Sequence, residues 1–286
     1  MNGILITPRN GKNGRRLLLH ALLIAAALVM LYPLLWMIAS SLKPQNQIFS
    51  DLGLWPAEFR FQNYADGWRG VGVPFGQFFY NSFVIATLVA IGNAISCSMA
   101  AYAFARLEFK LKRLWFSLML ASIMLPFHVL IVPQYSLFRS FGWLNSILPL
   151  TVPSFLATES FFIFLMVQFI RGIPRELDQA AALDGSGPIR TYWSIILPLS
   201  KPALVTTAIF SFIWAWNDFF SPLIYLNSVE NYTVSLGLRL FLDSTNASSW
   251  GPMFAMASLA LAPIFIFFLI FQRLIVEGIS TTGIRG

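Results

Sequence analysis

Glu159 and Asp218 each lie inside an apolar run of this 286-residue chain. An unpaired charge near the middle of a bilayer costs about 3 kcal/mol or more, so each carboxylate must face protein or water. Three roles are open to Glu159: a contact to solute hydroxyls, a place near the outer end of its helix, or an internal pair. Asp218 follows Asn217, and Trp214, Trp216 and Tyr225 are close by. Flat apolar rings beside hydrogen-bonding groups suit a hydroxyl-rich solute, and ordinary packing uses the same rings. Glu159, Trp214, Asn217 and Asp218 are therefore candidates for a translocation pathway. Read alone, the two acids also allow a proton-coupled secondary transporter with Glu159 or Asp218 as relay. His20 and His128 are far apart, and Cys97 is the only cysteine. No disulfide within the chain, cysteine metal cluster or catalytic set follows from them. No Gly-x-x-x-x-Gly-Lys-Ser/Thr phosphate loop is present. The chain is not expected to be an enzyme or to bind a metal or cofactor.

A second informative stretch runs from Ile173 to Pro202. Pro174 suits a first helical turn, and Glu176 and Asp178 suit the positive end of a helix. Ala180, Ala181 and Ala182 favour helix with little bulk. Asp184-Gly185-Ser186-Gly187-Pro188 breaks that helix and can start another, with Ser186 or Gly187 near the cap. Leu197-Pro198 ends the second helix. By composition, such a segment could dock in a partner's groove or lie on lipid headgroups.

The elements that must position these residues are membrane spans. The chain is 57% hydrophobic and 11% charged, with a mean hydropathy of +0.69. A soluble domain is about a quarter charged. Six apolar runs, about 17–39, 82–105, 114–138, 150–170, 203–226 and 252–271, are each long enough to cross about 30 Å of hydrocarbon as helices. The first run, about 23 residues after a basic leader, exceeds a signal-peptide core and reads as an uncleaved span. Pro33, Pro126, Pro133, Pro222 and Pro263 fall in or at the ends of these runs and are expected to kink them. Of the 19 Lys and Arg residues, 14 fall on one side of the resulting topology and 5 on the other. The rich side, which carries both termini and the Ile173–Pro202 loop, is expected to be cytoplasmic. The net charge of +7 thus serves orientation, and nucleic-acid binding is not expected. One domain covers the chain.

The spacing Gln179-Ala180-Ala181, three residues, Gly185, nine residues, Ile195, one residue, Leu197-Pro198 resembles the EAA loop of ABC-importer permeases. Gln179 stands where that family usually has Glu, which keeps length and hydrogen bonding but loses charge. The likeness extends over nearly the whole chain and is nearest to carbohydrate-importer permeases like the smaller maltose and the glycerol-3-phosphate subunits. It includes Ser40-Ser41-Leu42-Lys43, Trp55-Pro56, Asn63-Tyr64, Asn81-Ser82, Ala100 to Arg106, Gly142, Leu144, Asn145, Trp216 to Phe219, and Ile284-Arg285-Gly286.

The resemblance implies an all-α type I importer permease of six transmembrane helices in the bacterial inner membrane. It implies a second homologous permease, two ATP-binding subunits that hold ATP and Mg, and an extracytoplasmic solute-binding protein as partners. Glu176, Asp178, Gln179, Ala180, Ala181, Asp184, Gly185, Leu197 and Pro198 would form the ATPase-coupling element. Ile284, Arg285 and Gly286 would form a C-terminal ATPase contact.

Overall fold

The structure, a computed structural model, describes residues 10–242 and 249–283, and no strand occurs among them. The expected C-terminal contact Ile284, Arg285 and Gly286 lies outside the described residues. The first helices are α1 (Asn10–Ser41), α2 (Gln62–Arg69), α3 (Phe75–Arg106), α4 (Lys112–Ser122), α5 (Phe127–Ser140) and α6 (Leu148–Thr151). A 3-10 turn, Val152–Leu156, leads to α7 (Ser160–Arg171). Then come α8 (Glu176–Leu183), α9 (Pro188–Thr191), a π turn over Tyr192–Ile196, α10 (Leu197–Leu199) and α11 (Lys201–Asn217). The rest is α12 (Phe220–Tyr225), a 3-10 turn at Val229–Asn231, α13 (Val234–Arg239) and α14 (Trp250–Gly283).

Among the described residues, four helical stretches are by themselves long and apolar enough to cross a membrane: Arg16–Ser41, Phe75–Arg106, Leu148–Arg171 and Trp250–Gln272. Pro188–Leu199 and Lys201–Asn217 meet that test together but are bent by 76°. The expected boundaries need correction. The run at 82–105 belongs to a helix that starts at Phe75, after the extended Pro74. The run at 114–138 is two helices, because Pro126 is extended and cannot continue α4. The run at 150–170 is interrupted where Ala157 takes a left-handed conformation (φ 53°). The run at 203–226 stops at Asn217, since Asp218 is extended, and restarts at Phe220. Pro33, Pro133 and Pro263 do lie inside helices.

The helix α3 is the spine. At its acidic-poor, arginine-terminated end, Ala101, Tyr102 and Ala105 pack with Phe162, Met166 and Ile170 of α7, with Tyr192 and Ile196 of the π turn, and with Ala203 of α11. At its other end Phe75 and Phe78 pack with Phe212 and Trp216 of α11, Val234 of α13 and Met256 of α14. Gly92 lets the 3-10 turn approach closely: a Cβ there would sit 2.9 Å from the Phe155 ring. Several polar groups inside are paired, which lowers the cost of burying them. Asn93 donates to Ser211 Oγ (3.1 Å), Ser96 to the Ser154 carbonyl (2.6 Å), and Trp216 Nε1 to the Ala260 carbonyl (3.2 Å).

The long loop after α1 is held by its own polar residues. Lys43 is fully buried, and its ammonium donates to the carbonyls of Asp51 (2.5 Å) and Gly53 (2.6 Å) beside the Asp51 carboxylate (3.6 Å). Asn63 donates to the carbonyls of Ser41 (2.8 Å) and Lys43 (2.9 Å), which ties α2 to the end of α1. The Ser-Ser-Leu-Lys and Asn-Tyr landmarks of the sequence are therefore two halves of one joint.

Candidate functional site

The segment from Glu176 to Leu199 projects from the arginine-rich end of the bundle. Its first helix, α8, ends in a Schellman motif. Gly185 is left-handed (φ 75°), its N–H donates to the Ala182 carbonyl (3.0 Å), and the Ser186 N–H donates to the Ala181 carbonyl (2.9 Å). Glycine is favoured there because a left-handed residue with a Cβ is strained. A Cβ on Gly185 would meet nothing within 4 Å, so within this chain only the backbone demands glycine. Gly187 then caps α9, with Pro188 at its first position. The π turn closes with the Leu197 N–H donating five residues back to the Tyr192 carbonyl. This wide turn directly precedes Pro198, which lacks the N–H that an ordinary helix would use there. The helix continues one residue past the expected Leu197-Pro198 end, to Leu199.

Only one face of α8 touches its own chain. Ala181 is buried, whereas Glu176, Gln179, Ala180, Asp184 and Gly185 are exposed. Leu183 (89% exposed) and Ile189 (78%) face outward from the turn. Asp178 is turned the other way: its Oδ2 lies 3.2 Å from Arg106 Nε. Arg106 also donates to the Ile173 carbonyl (2.6 Å), Tyr102 donates to the Pro188 carbonyl (3.0 Å), and the hydroxyls of Ser98 and Tyr192 meet at 2.7 Å. Ser98, Tyr102 and Arg106 recur every four residues and so share one face of α3. Tyr102 and Arg106 fall in the Ala100 to Arg106 stretch quoted from the sequence, but no anchoring role was read for them, and Ser98 was not singled out. The signal was present as polar residues at that spacing near the end of an apolar helix.

Three of the pathway candidates, Glu159, Asn217 and Asp218, lie at helix interruptions, and Trp214 lies within α11. Glu159 precedes α7, is exposed, and its side chain has no hydrogen bond or ion pair among the described residues. Next to it, Ser160 meets Ser122 at the end of α4 (2.7 Å between hydroxyls). Trp214, half exposed, packs its ring on Phe161 (5.4 Å) and Phe162 (5.0 Å) of α7. The interruption in α4–α5 thus meets that before α7, where Trp214 packs on the first turn of α7. Asp218 has a different job: its Oδ1 accepts from the N–H groups of Phe220 (3.1 Å) and Ser221 (3.2 Å) and so caps α12. Asn217 is exposed and donates back to the Ile213 carbonyl of its own helix (2.8 Å). The His128 ring lies 5.0 Å from that of Phe220, which ties α5 to α12.

A second hub closes the opposite end. Asn145, left-handed at φ 59°, accepts at Oδ1 from the N–H groups of Asn227 (3.0 Å) and Ser228 (2.9 Å), and its N–H donates to the Tyr225 carbonyl (2.7 Å). One Asn side chain thus latches the loop after α12 to the loop after α5.

A bundle of long apolar helices with an exposed, stapled elbow at its basic end is the architecture of an importer permease. The chain belongs to the binding-protein-dependent transport system inner membrane component family, whose model matches residues 92–281. It is 30% identical over 267 residues to a diacetylchitobiose uptake system permease protein of Streptomyces coelicolor, with 93% of this chain and 88% of that protein covered. It is 32% identical over 274 residues to an sn-glycerol-3-phosphate transport system permease protein of Yersinia enterocolitica, with 94% and 97% covered. Its fold matches a chain in the crystal structure of a bacterial ABC transporter involved in import of the acidic polysaccharide alginate. The TM-score is 0.80 at 19% identity, over 94% of this chain and 99% of that one. The protein is therefore an inner-membrane transport permease with an importer fold, and not an enzyme.

Proposed function

We propose that this chain is one of two permease subunits of an ATP-driven importer for a sugar or sugar-like solute, such as an oligosaccharide, disaccharide, polyol or glycerol phosphate. The observation that carries the reading is the elbow from Glu176 to Leu199: exposed at Gln179, Ala180, Asp184 and Gly185, and fixed to α3 on either side of them, where Arg106 holds Asp178 and the Ile173 carbonyl, Tyr102 the Pro188 carbonyl and Ser98 the Tyr192 hydroxyl. A surface held this firmly can pass a displacement to the bundle. The partners are a homologous permease, two ATP-binding subunits and an external solute-binding protein. ATP and Mg bind on the ATPase subunits, and this chain holds no cofactor.

The chain works as one domain with six crossings, in which α4 with α5, and α11 with α12, are broken spans. Both termini and the elbow are cytoplasmic, because 14 of 19 basic residues then lie inside. Closure of the ATPase pair draws the elbows of the two permeases together, and rigid-body rotation opens the cavity outward. Hydrolysis resets it. Glu176, Gln179, Ala180, Asp184 and Gly185 meet the ATPase groove, while Asp178 transmits through Arg106. Leu197 and Pro198 shape the turn. The tail Ile284-Arg285-Gly286 reaches the ATPase pair, and loss of transport on deleting residues 282–286 is the expected result.

Glu159 and Trp214 line the pathway, where a carboxylate and a ring serve hydroxyl-rich solutes. The proton-relay alternative loses Asp218, which is occupied with backbone N–H groups. Reconstitution is the test. Uptake that needs the ATPase subunits, and ATP hydrolysis that rises with loaded binding protein, are expected. Uptake by the purified chain alone in liposomes would overturn the reading.

A further inference from the structure

A cavity of about 510 Å³ opens at the arginine-rich end of α3, α4 and α7. Its lining includes three cations, Lys112, Arg113 and Arg171, against one carboxylate, Glu108. That carboxylate is already engaged by Lys112 (3.0 Å), which also donates to the Leu107 carbonyl (2.7 Å). Arg171 lies over the Phe116 ring, 5.1 Å from its centre, with no acidic partner among the described residues. Arg113 is exposed and makes no ion pair or hydrogen bond there either. The remaining walls are apolar, from Phe104, Phe109 and Phe116. Just outside the cavity Trp115 (54% exposed) and Leu118 (52%) of α4 point away from the bundle.

Two unneutralised guanidinium groups above an aromatic wall, at the mouth of an apolar span, match an amphiphile with an anionic head. We infer that this cavity holds the phosphate of an anionic phospholipid of the cytoplasmic leaflet, with Arg113 and Arg171 on the phosphate oxygens and the acyl chains along α4. The charge and the aromatic wall favour lipid over a soluble ion. Guanidinium groups pair with phosphate oxygens. Basic pockets between spans at headgroup level collect acidic lipids, and the exposed Trp115 beside it is a residue type enriched at the membrane interface. The leaflet assignment rests on the orientation proposed above; the binding does not.

The test is native mass spectrometry of the whole detergent-solubilised transporter titrated with phosphatidylglycerol or phosphatidylcholine. Phosphatidylglycerol should bind the wild type selectively. Arg113→Gln should weaken it about fivefold, and Arg113→Gln with Arg171→Gln about 25-fold, at about fivefold per cation. Arg113 is exposed and unpaired, so its single variant keeps the test alive if the double variant does not assemble. Equal retention of the two lipids, unchanged selectivity in the Arg113→Gln complex, or displacement of the lipid by millimolar inorganic phosphate would each overturn the inference. The last would mark a site for free phosphate. Transport is not the readout. A complex that keeps phosphatidylglycerol but needs no ATPase subunit for uptake refutes the proposed function and leaves the lipid site standing.

Discussion

The elbow from Glu176 to Leu199 and the interruptions around Ser122, Glu159 and Asp218 both depart from regular helix, but different forces shape them. In the elbow each departure is local: Gly185 supplies a left-handed turn, Pro188 starts a helix, and Pro198 follows a widened turn. In the bundle the departures acquire meaning only when distant segments meet, as when Ser122 meets Ser160 or Trp214 packs on Phe161 and Phe162. A stiff elbow can be encoded in one short run of consecutive residues. A pathway through the membrane cannot.

The most severe way to break this contrast is at Gly185. If the elbow's shape is local and its outer face meets a close partner, Gly185→Val should fail twice, through left-handed strain of about 1–2 kcal/mol and through bulk at the groove. Uptake and binding-protein-stimulated ATP hydrolysis should fall at least about tenfold, since 1.4 kcal/mol already corresponds to tenfold in a population. Gly185→Asn tolerates the conformation and adds bulk. If Asn restores most of the coupling, the backbone is the requirement. If Asn is as poor as Val in an assembled complex, the partner's close approach is.

The next test is the staple. Arg106 is nearly buried and Asp178 partly so, and removing either leaves a charge without its partner. Asp178→Asn and Arg106→Gln should each lower thermal stability and coupling by on the order of 2 kcal/mol. The double variant should cost less than the two together. Additive losses would mean that the two residues act apart, and that Asp178 reaches the ATPase instead of α3.

These two regions also differ in what could be read from the chain. The elbow was legible almost residue by residue, because propensity, capping and proline chemistry act over a few positions. What could not be read was its inner face. Glu176 and Asp178 suit the positive end of a helix equally well in the sequence, and only tertiary packing, which sets Asp178 against Arg106 of α3, tells them apart. The spans were legible as apolar runs, but their breaks were not. The 114–138 run contains Pro126, and a membrane helix tolerates proline as a kink as readily as it ends there. Asp218 was legible as costly, yet the same cost is met by a pathway, a proton relay or a cap. The two amide donors that Asp218 caps, those of Phe220 and Ser221, come from the chain's own next turn.

Within the bundle, Glu159 and Asp218 sharpen the comparison by pulling apart. Glu159 has no partner among the described residues, so Glu159→Gln should leave the yield and melting temperature of the complex almost unchanged. If the carboxylate touches solute, the same variant shifts the KM for uptake several-fold, as removing a charged hydrogen bond of about 1.5–3 kcal/mol implies. Unchanged uptake together with lower yield would make Glu159 structural.

Asp218 should behave in the opposite way, with the smallest effect of the four. Its Oδ1 accepts two backbone N–H groups, and Asn offers the same carbonyl oxygen in nearly the same place. Asp218→Asn should therefore keep both stability and uptake close to wild type, whereas Asp218→Ala should lose about 1 kcal/mol of stability with the cap. The pair also excludes a mechanism. A proton relay cannot survive an amide at the relay position, so full uptake by Asp218→Asn removes it without any pH gradient being measured. If Asn abolishes uptake while Ala and Asn melt alike, the cap is incidental. The carboxylate would then belong with Glu159 among the groups that a solute meets.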